Sequence, residues 1–74
     1  MKIEYDAEVD ALYIEFRDVP ADRSIDVEEG VSVDLDAGGH IVGMEILDAS
    51  ERLKESLSRL EFAELPFRKA KVRT

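Results

Sequence analysis

Residues Asp34 to Glu45, DLDAGGHIVGME, admit two incompatible readings, and the choice between them decides the fold. Counted as a calcium loop, the stretch puts Asp34 first, Asp36 third, Gly39 sixth and Glu45 twelfth, close to the ligand register of an EF-hand. Read as a hairpin, it joins two alternating segments, Val31–Leu35 and Ile41–Leu47, whose apolar residues must share one face. Pairing Leu35 with Val42, Val33 with Met44 and Val31 with Ile46 puts all six on one side. Asp34 then lies opposite Gly43 and Ser32 opposite Glu45 on the other face. Ala37, Gly38, Gly39 and His40 remain as the loop, with both glycines free to take positive φ. The hairpin reading prevails. A calcium loop wraps its oxygens around one point, whereas residues 41–47 alternate as an extended strand. The fifth position is Gly38, which has no side chain, and no helix precedes the stretch. A weaker divalent-ion site gathering Asp34, Asp36 and Glu45 stands beside the plainer reading, a polar hairpin face.

Alternation also marks the chain before this hairpin. In KIEY, Ile3 and Tyr5 share a face; in ALYIEF, Leu12, Ile14 and Phe16 do. SIDVE at 24–28 reads as a short edge strand whose acids discourage unwanted pairing. Turn-forming residues separate these segments: DAEVD, RDVPADR, Glu29–Gly30 and DAGGH. After Leu47 the period changes. Asp48 followed by Glu51 fits a capping box, and Ala49, Leu53, Leu57 and Leu60 recur at helical spacing. Glu55 and Arg59 are a favourable i,i+4 pair, and Pro66 ends any extension. The pattern predicts an α+β domain: an antiparallel meander of four strands, or five, with one C-terminal helix on its apolar face. It also predicts a domain over 1–65 and a basic tail over 66–74.

The 74 residues suffice for one domain with a thin core, and no cysteine is present for a disulfide or thiolate site. Self-association is one route by which such a chain buries more surface. All 18 Asp and Glu lie between Glu4 and Glu64, and residues 1–64 hold only six Lys and Arg, a net charge of −12. The last ten residues carry Arg68, Lys69, Lys71 and Arg73 and no acid. The body repels phosphate backbones, which argues against nucleic-acid binding. The tail reads as a solvated terminus or as a segment that docks on an acidic surface, its own or a partner's. There is no basic-then-apolar leader and no apolar run of 18 residues, so a cytoplasmic protein without membrane contact is expected.

YDAEVDALYIEF, followed by EEGVSVDLDAGGHIVGMEILDAS, resembles the small, mainly prokaryotic domain-of-unknown-function family 2283. The resemblance rests on Tyr5, Asp6, Asp10 to Ile14, Gly30 to Asp34, and Gly39 to Ser50, with Met44 at a place where the family pattern has Ile. It covers about residues 1–50 and implies a sheet-plus-helix module, with no activity implied.

Candidate chemistry is sparse. Asp6 and Asp10 flank a turn, where carboxylates ordinarily accept from local amides. His40 sits at a hairpin tip without a neighbouring nucleophile, and the serines lack a glycine-rich elbow. No catalytic residue and no cofactor is expected. The outer sheet face is more informative: Tyr13, Ile41 and Leu47 are expected to point away from the helix, ringed by Glu15, Asp34 and Glu45 like an interface core with a polar rim. The expected function is a non-enzymatic protein-interaction module, homo-oligomeric, with an acidic, antitoxin-like regulator of a basic protein as one version. The rival is a weak divalent-metal-binding protein or metal-assisted enzyme using Asp34, Asp36, His40 and Glu45.

Overall fold

A computed structural model describes residues 1–63. Five strands form one sheet: β1 (Lys2–Asp6), β2 (Ala11–Glu15), β3 (Arg23–Glu28), β4 (Val31–Leu35) and β5 (Ile41–Leu47). All neighbours are antiparallel and the spatial order is β1-β2-β5-β4-β3. The sheet is therefore a β1–β2 hairpin and a three-strand β3–β4–β5 unit, joined by pairing β2 with β5. The five strands match the alternating segments of the sequence, and SIDVE does lie at an edge, where a bulge between Asp26 and Glu28 interrupts its pairing.

Register follows the shared apolar face. Val31 meets Ile46 and Val33 meets Met44, while Asp34 meets Gly43 and Ser32 meets Glu45 on the opposite side. One expected pair is displaced: Leu35 stands opposite Ile41, not Val42, because the ladder shifts after Asp34. The other side of β5 is irregular at the same place. The Val42 carbonyl accepts from both Phe16 (2.7 Å) and Arg17 (3.2 Å), a two-to-one pairing characteristic of a bulge. The loop tightens accordingly. The Asp36 amide donates to the His40 carbonyl at 2.8 Å and Gly39 donates to the Asp36 carbonyl at 2.9 Å. That leaves three loop residues, and of the two glycines only Gly39 takes positive φ, at 86°.

After β5 the chain forms α1 (Ala49–Leu53) and then a 3₁₀ segment, Lys54–Ser58. The helix is shorter than the leucine spacing implies because Lys54 adopts φ 53° and breaks it. Glu55 and Arg59 consequently form no helical pair. The capping box is absent as well: Asp48 is left-handed at φ 53° and makes no side-chain cap. Its place is taken from across the molecule. The Asp10 carbonyl accepts from the Ala49 amide at 2.9 Å, and its carboxylate accepts from the Ser50 amide (3.0 Å) and hydroxyl (2.7 Å). Arg52 fastens the other side, donating to the Leu47 carbonyl at 2.9 Å, the Glu28 carboxylate at 2.8 Å and the Glu29 carbonyl. Gly30 is needed beneath it, since it sits at φ 86° and any Cβ there would overlap the guanidinium.

The apolar face of the sheet carries Ile3, Tyr5, Leu12 and Ile14, and Leu53, Leu57 and Leu60 lie over them around a cavity of about 280 Å³. Cover is incomplete. Among the described hydrophobic residues only Leu12, Val42 and Ala49 are buried, whereas Ile25 and Val27 on β3 are exposed. Residues 64–74 lie outside the described residues, and with them the expected domain end at 65 and the basic tail.

Asp10, not Asp48, starts the helix. Asp10→Ala is therefore expected to lower the melting temperature by several degrees, and Asp48→Ala to change it little. Thermal melts followed by circular dichroism check this, and the reverse ranking overturns the assignment.

Candidate functional site

Two polar constellations organise the molecule, one at an end of the sheet and one across its outer face. The first centres on Asp10, which takes φ 54° at the close of the β1–β2 turn, a conformation that Asp tolerates better than most residues. That turn of the backbone aims the carboxylate back at β1 and up at α1. The Tyr5 hydroxyl donates to its Oδ1 at 2.6 Å alongside the Ser50 amide, and the Ser50 hydroxyl donates to Oδ2. These donors, Tyr5 first and Ser50 next, hold the Asp10 carboxyl below the usual carboxylate range. The bond to Asp10 in turn raises the Tyr5 hydroxyl. Asp6, the other carboxylate of the pair, accepts locally from the Glu8 amide at 3.0 Å, as turn residues do. Ala49 follows without any exposed surface, which leaves no space for a larger side chain.

The second constellation runs transversely. Tyr13 on β2 reaches over β5 to Asp34 on β4, its hydroxyl donating to Oδ2 at 2.8 Å. Ser24 on β3 donates to Oδ1 of the same carboxylate, also at 2.8 Å. Between them lies Gly43, where a Cβ would overlap the Tyr13 ring and sit 2.8 Å from the Ile14 carbonyl oxygen. The glycine is a notch that admits the aromatic ring, a pairing known to repair the weakness of glycine in strands. Burial first, then the Asp34 hydrogen bond and the nearby Glu15 and Glu45 charges, push the Tyr13 hydroxyl up to about 12.

Asp36 belongs to neither constellation. Its Oδ2 accepts from Arg17 at 2.7 Å, and its Oδ1 accepts from the Gly38 and His40 amides at 3.0 and 2.9 Å. Arg17 also donates to the Ile41 carbonyl at 2.9 Å, so it clamps the hairpin loop to the end of β2. The guanidinium first, and the His40 amide next, bring the Asp36 carboxyl down to about 2.

The sequence-derived metal set therefore does not assemble. Asp34 faces Tyr13 and Ser24, Asp36 is held by Arg17, and His40 enters the network through its backbone amide. Among the described residues no three His, Asp or Glu side chains are grouped to hold a metal ion. The three apolar residues of the outer face are also placed differently from one another. Leu47 pairs with Ala11 and Tyr13 with Glu45, adjacent rungs of the same face. Ile41 lies at the bulge opposite Leu35, at the far end of β5. Beside Tyr13 and Ala11 an open groove of about 560 Å³ runs along the sheet, with Glu4, Asp6, Glu8 and Glu45 among its walls. What sequence reasoning missed is the Asp10–Ser50 contact, 40 residues apart. Its only trace in the sequence is the co-occurrence of Tyr5, Asp10 and Asp48–Ala49–Ser50 in one family pattern.

Fold and site define a small α+β domain in which the carboxylates of Asp10, Asp34 and Asp36 hold strands and helix together. The chain belongs to the family described as "Protein of unknown function (DUF2283)", whose model matches residues 2–50. No curated protein and no solved structure matches it. Among the described residues no helix is long and apolar enough to cross a membrane.

These bonds set a pH profile. A carboxyl with a depressed folded pKa stabilises the fold while ionised; for Asp36 that contribution is complete above pH 3.8 and is lost as pH falls through about 2. A raised tyrosine acts in the opposite sense, so the Tyr13 contribution is complete below pH 10.0 and is lost as pH rises through about 12. Thermal melts across pH should show both limbs. Arg17→Met is expected to remove the Asp36 part of the acid limb, and Tyr13→Phe the Tyr13 part of the alkaline one. An alkaline limb that survives intact in Tyr13→Phe contradicts the assignment.

Proposed function

We propose that this protein is a non-enzymatic interaction module that associates with copies of itself. The observation that carries the reading is how little apolar surface is buried among the described residues. Leu12 and Val42 are its only large hydrophobic residues under cover among those described, while Ile3, Tyr5, Val9, Ile25, Leu47 and Leu60 stay exposed. Burying one such side chain contributes roughly 1.5–3 kcal/mol. Ordering each backbone residue costs about 1–2 kcal/mol, so a core this thin gains from a second chain laid against the exposed rows. Enzymatic chemistry has less support, because Asp10, Asp34 and Asp36 all spend their acceptor oxygens on structural partners. The expected surfaces are the outer face around Tyr13 and Leu47, with Ile41 at its far end, or an edge of the sheet.

A second version is favoured by the acidic groove: the module serves as a regulatory partner that covers a basic protein, as antitoxins do. Lys- and Arg-rich partners would find Glu4, Asp6, Glu8 and Glu45 along one trough. Binding of a basic partner is expected to weaken steeply with added salt, and salt-insensitive binding would rule out this version.

Sedimentation equilibrium at tens of micromolar tests the main reading. A dimer or larger assembly is expected, and a strictly monomeric chain overturns it.

A further inference from the structure

The two edges of the sheet are not equivalent. On β3, the bulge between Asp26 and Glu28 and the acids at both positions guard the edge against pairing. β1 is regular, without a bulge, and its charges are of both signs, Lys2 beside Glu4 and Asp6. Phe16 donates to the Val42 carbonyl, so residues of the same parity on β2, Ile14 and Leu12, bond to β5. Tyr13 and Glu15 then bond to β1, where they meet Glu4 and Lys2. By the same alternation, Ile3 and Tyr5 turn their N–H and C=O groups to the open edge.

Resting on the self-association reading, we propose that the β1 edge is the self-association surface and that it takes the β1 edge of a second copy, antiparallel, with the two-fold axis through Ile3. In this register Ile3 pairs with its own counterpart and both exchange backbone hydrogen bonds. Lys2 of each chain lies opposite Glu4 of the other, twice by symmetry, which gives cross-strand pairs of opposite charge. In the single chain Lys2 and Glu4 make only a loose, exposed contact at 3.8 Å along their own strand, which a second copy can exchange for cross-strand pairs. The neighbouring register, centred on Glu4, would set that carboxylate against itself and is disfavoured. On the inner side, the cavity bounded by Ile3, Tyr5, Leu57 and Leu60 adjoins this edge. Ile3 is 41% exposed, Tyr5 44% and Leu60 65% in the single chain. The two-fold axis brings the two cavities side by side under both helices, so each chain covers the other's exposed rows. The product is a continuous ten-stranded sheet with a β3 edge at each end.

The charge pattern makes the test specific. Lys2→Glu and Glu4→Lys are each expected to weaken the dimer about tenfold in sedimentation equilibrium at low salt. The double variant Lys2→Glu/Glu4→Lys restores it, because the pairs are reformed with their signs exchanged. Ile3→Pro removes an N–H that β2 does not use, so it is expected to leave a folded monomer by circular dichroism while abolishing the dimer. Single variants that dimerise as tightly as the original chain overturn this edge and leave self-association by another surface standing. A double variant that fails to recover overturns the Ile3-centred register. A monomeric original chain overturns the self-association reading and this inference with it.

Discussion

The carboxylate of Asp10 is the contact on which the arrangement of sheet and helix depends. A helix of five residues has too little length to form by itself and too few buried contacts to be held by packing alone. It exists because its first amides find acceptors already in place. Asp10 supplies those acceptors from the β1–β2 turn, and the Tyr5 hydroxyl fixes the direction of the carboxylate. Ala49, with no exposed surface, closes the joint. Arg52 adds the opposite fastening to the β3–β4 turn, so a single turn of helix grips both halves of the sheet at one end.

The transverse chain from Tyr13 through Asp34 to Ser24 does comparable service on the outer face. It spans β2, β5, β4 and β3 and ties together the two units that meet at the β2–β5 seam. The same residues explain why an outer face rich in acids tolerates a glycine in a central strand. Gly43 is weak as a strand residue by itself, but the ring laid in its notch replaces the packing it lacks. Carboxylates that looked like ligands in the sequence are thus the acceptors of a scaffold.

Strands were legible because their alternation is local and regular. Each of the four segments read from period two is a strand, as is the edge segment SIDVE, and four β4–β5 pairs lie in the register that the shared apolar face demands. What escaped the sequence was every feature decided between segments. The displacement of Leu35 onto Ile41 coincides with Phe16 and Arg17 both bonding to one carbonyl, which no pattern within 31–47 reveals. Asp48 and Glu51 spelled a capping box, yet a positive φ at Asp48 hands the cap to Asp10. Likewise Asp34 and Asp36 stand close in sequence but turn to different partners, Tyr13 and Arg17, supplied by another strand and its end. Of the candidate site, residue types were visible and their partners were not.

The seam between β2 and β5 also sets how the closure cost is spread along the chain. Loops within β3–β4–β5 are short, so this unit closes with little loss of chain entropy. The β1–β2 hairpin precedes it in sequence but has no neighbour until Ile41–Leu47 exists, and the Asp10 anchor has nothing to hold until Ser50 follows. Residues 2–15 therefore precede, in sequence, the strand that joins them to the rest of the sheet. The β2–β5 pairing closes the longest stretch of chain of any neighbouring strands in the sheet, so it carries the largest closure cost.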